Sequence, residues 1–171
     1  MKNKTILGAV MVGICALLLA SHAFAASAEE VKQVVEKVQK AVALVQKEGN
    51  AAYPKLSNPN GEFVSGSLYV FVFSLKPEDQ GVLTAHLKPA MVGKSLLALQ
   101  EPETNRKFAQ EFVTIAESPS GKGWTEYKWA KPDAREIAIK ATYIMKVPGQ
   151  PLAVGAGIYD VTKAEAEKIV K

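Results

Sequence analysis

Leu68-Tyr69-Val70-Phe71-Val72-Phe73 is an unbroken run of β-formers whose rings recur at every second position, so Tyr69, Phe71 and Phe73 share one face of a strand. Pro77-Glu78-Asp79-Gln80-Gly81 is a turn cluster, and residues 82–87 read as the returning strand of an antiparallel pair. Upstream, Asn58-Pro59-Asn60-Gly61 is a second turn cluster, where the apolar period changes from helical to two. Before it, Val31, Val34, Val35, Val38, Val42 and Val45 step by three and four, with Lys, Gln and Glu between them. That is the stripe of an amphipathic helix about six turns long. Ser27-Ala28-Glu29-Glu30 supplies a capping box at its start, and Gly49-Asn50 its stop. Two uses of the stripe stay open: packing on the sheet, or pairing with a second copy in a homodimer.

Downstream of Pro89, Val92-Gly93-Lys94-Ser95-Leu96-Leu97 precedes a helix expected at 104–117, with Phe108, Phe112 and Ile115 on one side. Strands are expected at 123–131, 136–147 and 152–159, separated by Lys131-Pro132-Asp133 and Val147-Pro148-Gly149 turns, in an antiparallel meander. Thr162-Lys163-Ala164-Glu165 caps a last short helix running to the end of the chain. This order predicts an α+β domain. It has one five-stranded antiparallel sheet, a long N-terminal helix, a helical crossover and a short C-terminal helix, with the helices on one side.

The 171 residues are 48% hydrophobic and 8% aromatic, enough for one packed core and too few for two substantial domains. Lys2 and Lys4, the apolar run from Ile6 to Ala20 and Ala23-Phe24-Ala25 have the pattern of a secretory signal peptide over 1–25, cleaved after Ala25. The rival is an uncleaved N-terminal anchor, against which polar Ser21-His22 interrupts the run early. The expected mature domain, 26–171, is periplasmic or secreted. Without Lys2 and Lys4 the net charge falls from +4 to +2, which leaves no basic stripe for nucleic acid.

The mature chain has no cysteine and one histidine, His86, so no Cys–His pair or soft metal cluster is present, and neither metal nor cofactor is expected. Gly93-Lys94-Ser95 ends like a phosphate-binding loop, but Lys88 occupies the position of its first glycine, and the tripeptide reads as a turn and helix cap. No nucleophile elbow or acid–base constellation stands out, and the reading is a binding module rather than an enzyme. What does recur is aromatics beside cations. Tyr127, Trp129 and Lys131 alternate, placing a phenol, an indole and an ammonium side by side, and Lys140 and Tyr143 follow on the next strand. Such a set can hold a small carboxylate, or it can be an ordinary aromatic face with lysines reaching its rim. Lys140 and Tyr143 fall on opposite faces of an unbroken strand, so one of them points away from any pocket.

Together, Tyr69-Val70-Phe71-Val72-Phe73, His86-Leu87-Lys88-Pro89, Val92-Gly93-Lys94-Ser95-Leu96, Gly121-Lys122-Gly123-Trp124, Tyr127-Lys128-Trp129-Ala130-Lys131-Pro132, Lys140-Ala141-Thr142-Tyr143 and Gly155-Ala156-Gly157-Ile158-Tyr159-Asp160 resemble the single Cache domain family across nearly all of the mature chain. The resemblance implies a PAS-like fold and extracytoplasmic sensing of small ligands, often short organic acids, within chemoreceptors and sensor kinases. It implies a pocket lined by Tyr69, Phe71, His86, Tyr127, Trp129, Lys131, Lys140 and Tyr143. Lys140 and Lys131 would neutralise a carboxylate. Tyr69, Tyr127 and His86 would donate hydrogen bonds, and Phe71 and Trp129 would form the apolar wall. A lone histidine such as His86 also serves as a satisfied structural residue. Family members usually sit between two membrane helices, whereas this sequence carries no second apolar segment. The expectation is an exported, stand-alone sensor domain acting through a separate membrane receptor or sensor kinase. The alternative is a structural or interaction protein of the same fold, without ligand, that dimerises or docks through its N-terminal helix.

Overall fold

The computed structural model describes residues 7–132 and 136–170, with side chains from residue 28 onward. Helix α1 runs Leu7–Glu48 without a break, so the helix start predicted at the Ser27–Glu30 capping box is corrected; Ala23, Ala25, Ala26 and Ala28 are strong helix formers and carry the helix through. It ends where expected, at Gly49, whose φ of +59° is a conformation that favours glycine. After a 3₁₀ turn at Gly49–Ala52 and the short helix α2 (Tyr53–Leu56) come the strands β1 (Val64–Ser65), β2 (Leu68–Ser74) and β3 (Leu83–Ala85). Helix α3 (Gln110–Glu117), the strands β4 (Lys122–Ala130), β5 (Ile137–Lys146) and β6 (Leu152–Tyr159), and helix α4 (Lys163–Ile169) complete the chain.

Every pairing is antiparallel. The five expected strands lie in the spatial order β3-β2-β6-β5-β4, with two-residue β1 added beside the start of β2. The first and last long strands are therefore neighbours at the middle of the sheet. The capping box of α4 forms as predicted, Thr162 accepting from the Glu165 N–H and Glu165 accepting from the Thr162 N–H. Ser95 likewise caps the 3₁₀ turn Leu96–Ala98, its side chain accepting from the Leu97 N–H.

The two sheet faces bury separate cores. Val31, Val34, Val35, Val38, Val42 and Val45 of α1 pack against Val70, Val72, Ala141, Tyr143, Val154, Ala156 and Ile158, and α4 adds Ala166. The stripe is between 0% and 7% exposed, so it is sealed within this domain and offers no seam to a second copy. On the opposite face Phe71, Phe73, Leu83, Tyr127, Ile144 and Ala153 pack against Leu96, Phe108, Phe112 and Val113 of the crossover and α3. Helices thus cover both faces, and the expected one-sided arrangement is corrected. Both faces of β2 are apolar, and each has to be buried.

The expected helix at 104–117 shortens to its last eight residues. Asn105 takes φ +57°, and Glu101 and Arg106 close a turn in which the Glu101 N–H donates to the Arg106 carbonyl at 3.0 Å. Phe108 precedes the helix but is buried all the same.

Candidate functional site

Between the crossover and the second sheet face lies a cavity of about 50 Å³ lined by Tyr69, Phe71, His86, Met91, Leu96, Leu99, Phe108, Phe112, Tyr127, Trp129 and Lys140. Each wall follows from strand parity. Tyr69 and Phe71 face it from β2, and Tyr127 from β4 is the cross-strand partner of Lys140 on β5. The alternating glycines of β6 make the room. A Cβ on Gly155 would come within 2.4 Å of the Phe71 ring, and one on Gly157 within 2.5 Å of both the Lys140 side chain and the Thr142 hydroxyl. The Gly-x-Gly of the last strand is there because two side chains from its neighbours cross it.

Lys140 is 3% exposed. Its Nζ lies 5.0 Å from the centre of the Tyr69 ring and 4.8 Å from that of Tyr159, and among the described residues no carboxylate pairs with it. Ring faces attract a cation but do not neutralise it. Burial lowers its pKa to about 8, and repulsion from Lys88 adds to the effect. The His86 Nδ1 accepts the Lys88 N–H at 2.9 Å, which fixes the neutral ring with its proton on Nε2. Burial first, then the Lys140 charge, holds His86 down at about 4, so at neutral pH it is an uncharged donor. Tyr127 stacks on Phe108, their ring centres 3.9 Å apart, and its hydroxyl bonds to Thr142 at 3.1 Å. Burial raises the pKa of Tyr69 and Tyr127, so both keep their protons. One ammonium, two phenols and one imidazole N–H therefore stand in an apolar wall that, among the described residues, holds no acid.

Six of the eight residues expected from the sequence meet at this cavity: Tyr69, Phe71, His86, Tyr127, Trp129 and Lys140. Tyr143 does not. It points through the other face and packs on Trp124 beneath α1, ring centres 5.1 Å apart, as parity demands if Lys140 points inward. Lys131 does not either. Strand β4 ends at Ala130, and the Lys131 ammonium turns outward to Asp160 at 2.7 Å and Glu136 at 3.6 Å. The sequence reading missed Met91, Leu96, Leu99, Phe108 and Phe112 as wall residues. Phe108 and Phe112 were visible only as an apolar spacing. Tyr159 was also missed as the second ring against Lys140.

An antiparallel sheet of five main strands and the short β1, backed by a long helix and fronted by a crossover that encloses a small cationic cavity, has the build of a PAS-like sensor domain. Residues 27–169 match the family model for the Cache domain, and the chain belongs to the Cache domain family. Similar solved structures include a periplasmic sensor domain of a chemotaxis protein, 21% identical over 92% of this chain and 100% of that one, with a TM-score of 0.54. Another is a methyl-accepting chemotaxis protein from Vibrio parahaemolyticus, 20% identical over 80% and 95%, with a TM-score of 0.59. A third is a Cache chemosensory domain described for its carboxylic acid recognition, 17% identical over 94% and 100%, with a TM-score of 0.50. At these identities the likeness is one of fold. No protein of curated function matches the chain.

Proposed function

We propose that this Cache domain binds a carboxylate of two or three carbons and presents the bound state to a separate membrane receptor or sensor kinase. The observation that carries the reading is Lys140, a buried cation on the wall of a cavity with no acid among the described residues to balance it. A charge taken out of water needs a partner, and a bound carboxylate is the simplest one. Neutral Tyr69, Tyr127 and His86 supply donors for its oxygens, while Phe71, Phe108 and Trp129 suit a short apolar tail. Size is set by volume. About 50 Å³ holds some three to five water-sized positions at about 10–15 Å³ each, the heavy-atom count of acetate or propionate. The carboxylic acid recognition described for one structural relative supports the same ligand class.

Export of the domain rests on the signal-peptide pattern of residues 1–25. Cleavage after Ala25 would leave Ser27 and Glu30 at a new helix start, where a capping box has a use it lacks inside the continuous α1. Residues 26–171, unfolded and refolded to strip any bound ligand, should be stabilised by acetate or propionate and not by simple amines. At 100 times the dissociation constant the gain is about 2.7 kcal/mol. The Lys140→Met and Tyr127→Phe variants should each lose at least tenfold in affinity. Unchanged affinity in both would remove the assignment.

A further inference from the structure

Beyond the cavity wall, the crossover is fastened to the sheet at two points of different strength. Residues 93–96 are bound by backbone: the Leu83 N–H donates to the Lys94 carbonyl at 2.9 Å, the Gly93 N–H to the Leu83 carbonyl at 2.8 Å and the Leu96 N–H to the Gly81 carbonyl at 2.8 Å. From 97 to 109, among the described residues, no backbone hydrogen bond reaches a strand. That stretch carries Leu99 and Phe108 onto the cavity. It is held on the outer edge of β4 by side chains instead. The Glu101 carboxylate is buried and accepts from the Lys128 N–H at 3.0 Å, from Arg106 at 2.8 Å and from the Thr104 hydroxyl. Arg106 donates in turn to the Glu126 carbonyl at 2.7 Å and to Glu111 of α3 at 2.5 Å. Glu101 and Arg106 thus occupy neighbouring backbone groups of an edge strand that, among the described residues, no other strand covers.

We propose that Glu101 and Arg106 are positioning residues of the cavity, a clip that holds residues 97–109 closed over the ligand and whose release from β4 opens the way in and out. Opening lifts Phe108 off the Tyr127 ring and withdraws Leu99, while the 93–96 anchor and α3 stay in place. The inference rests on the carboxylate-binding reading for its kinetic consequence alone; the opening itself belongs to the ligand-free domain.

The Lys128 amide reports the clip directly, because its hydrogen-bond acceptor is Glu101. In wild-type residues 26–171, Lys128 should exchange its amide proton at least 100-fold faster than Val72 and Val154 of the central strands. Glu101→Gln removes the charge from bonds that a charged acceptor strengthens, and should speed Lys128 about tenfold further with Val72 and Val154 unchanged. Glu103→Gln breaks only an exposed ion pair to the Lys128 ammonium and should change nothing. In stopped-flow Trp129 fluorescence with propionate, the association and dissociation rates of Glu101→Gln should rise together, leaving affinity within threefold; a merely weakened wall would raise dissociation alone. Wild-type Lys128 exchanging in step with Val154, or Glu101→Gln speeding all three amides equally, would overturn the clip. If Glu101→Gln does not fold, Thr104→Val and the wild-type exchange pattern decide the matter. Absence of propionate binding to the wild type would count against the carboxylate reading and leave the exchange result standing.

Discussion

Replacing Lys140 with methionine should make the ligand-free domain more stable, against the usual direction for a buried substitution. The fall in the Lys140 pKa from 10.5 to about 8 corresponds to roughly 3 kcal/mol by which folding disfavours the charged form. The contacts with the Tyr69 and Tyr159 rings would be lost, at about 0.5–2 kcal/mol, and methionine packs the same channel over Gly157, so the net gain is about 1–3 kcal/mol at pH 7. The pH dependence identifies the cause. Below pH 8 both folded and unfolded chains carry the proton and the cost is full. Between 8 and 10.5 the unfolded chain binds more proton, so wild-type stability rises with pH, and the gap to Lys140→Met closes. The raised phenols of Tyr69, Tyr127 and Tyr159 act in the opposite sense above about pH 10, but they are common to both proteins and cancel in the difference. Urea unfolding of stripped protein at pH 7, 8, 9 and 10 measures it. A variant no more stable than wild type at pH 7, or a gap that does not close with pH, would refute the reading of Lys140 as an unbalanced buried cation.

Propionate affinity should fall about tenfold between pH 7 and 9 as the empty site loses the Lys140 proton, with proton uptake near pH 8 seen as calorimetric heats that depend on the buffer. Gly157→Ala should abolish binding and cost about 1–3 kcal/mol, because its Cβ would strike Lys140, Thr142 and the Ala141 carbonyl; retained binding would show that Lys140 lies elsewhere. His86, held at about 4 when folded, should make stability fall as pH drops from 6.5 toward 4, a slope that His86→Asn removes in acid unfolding curves. Lys131→Ala should leave propionate affinity within twofold, since its ammonium is engaged by Asp160.

What could be seen in the sequence was whatever depends on neighbours along the chain. Periodicity located the valine stripe, the aromatic face of β2 and the meander, and parity stated that Lys140 and Tyr143 could not share a face. The same parity rule failed at Lys131, because alternation holds only while the strand continues, and the strand stops at Ala130 ahead of Pro132. The front wall was hidden for a different reason. Phe108 and Leu99 reach the cavity through a crossover shaped by Glu101 and Arg106 gripping a strand 20 and more residues away, and no local spacing encodes that contact. The one-sided helix placement failed because β2, apolar on both faces, was not given its second cover.

The two cores share their strands, and this bears on how an occupied cavity could be read from outside. On β5, Lys140 faces the cavity while Ala141 and Tyr143 face the α1 core; on β6, Gly155 and Gly157 face the cavity while Val154, Ala156 and Ile158 lie in that core. Cavity and helix are one backbone apart. On the sensor reading, a ligand shifts the domain only by its difference in affinity between two arrangements. The group able to supply that difference is Lys140, costly to bury alone and relieved by an anion. Its side chain rests on Gly157, in the strand that packs against α1. A change in where Lys140 sits therefore acts first on β6, and through Ala156 and Ile158 on the helix, the element a membrane partner would meet.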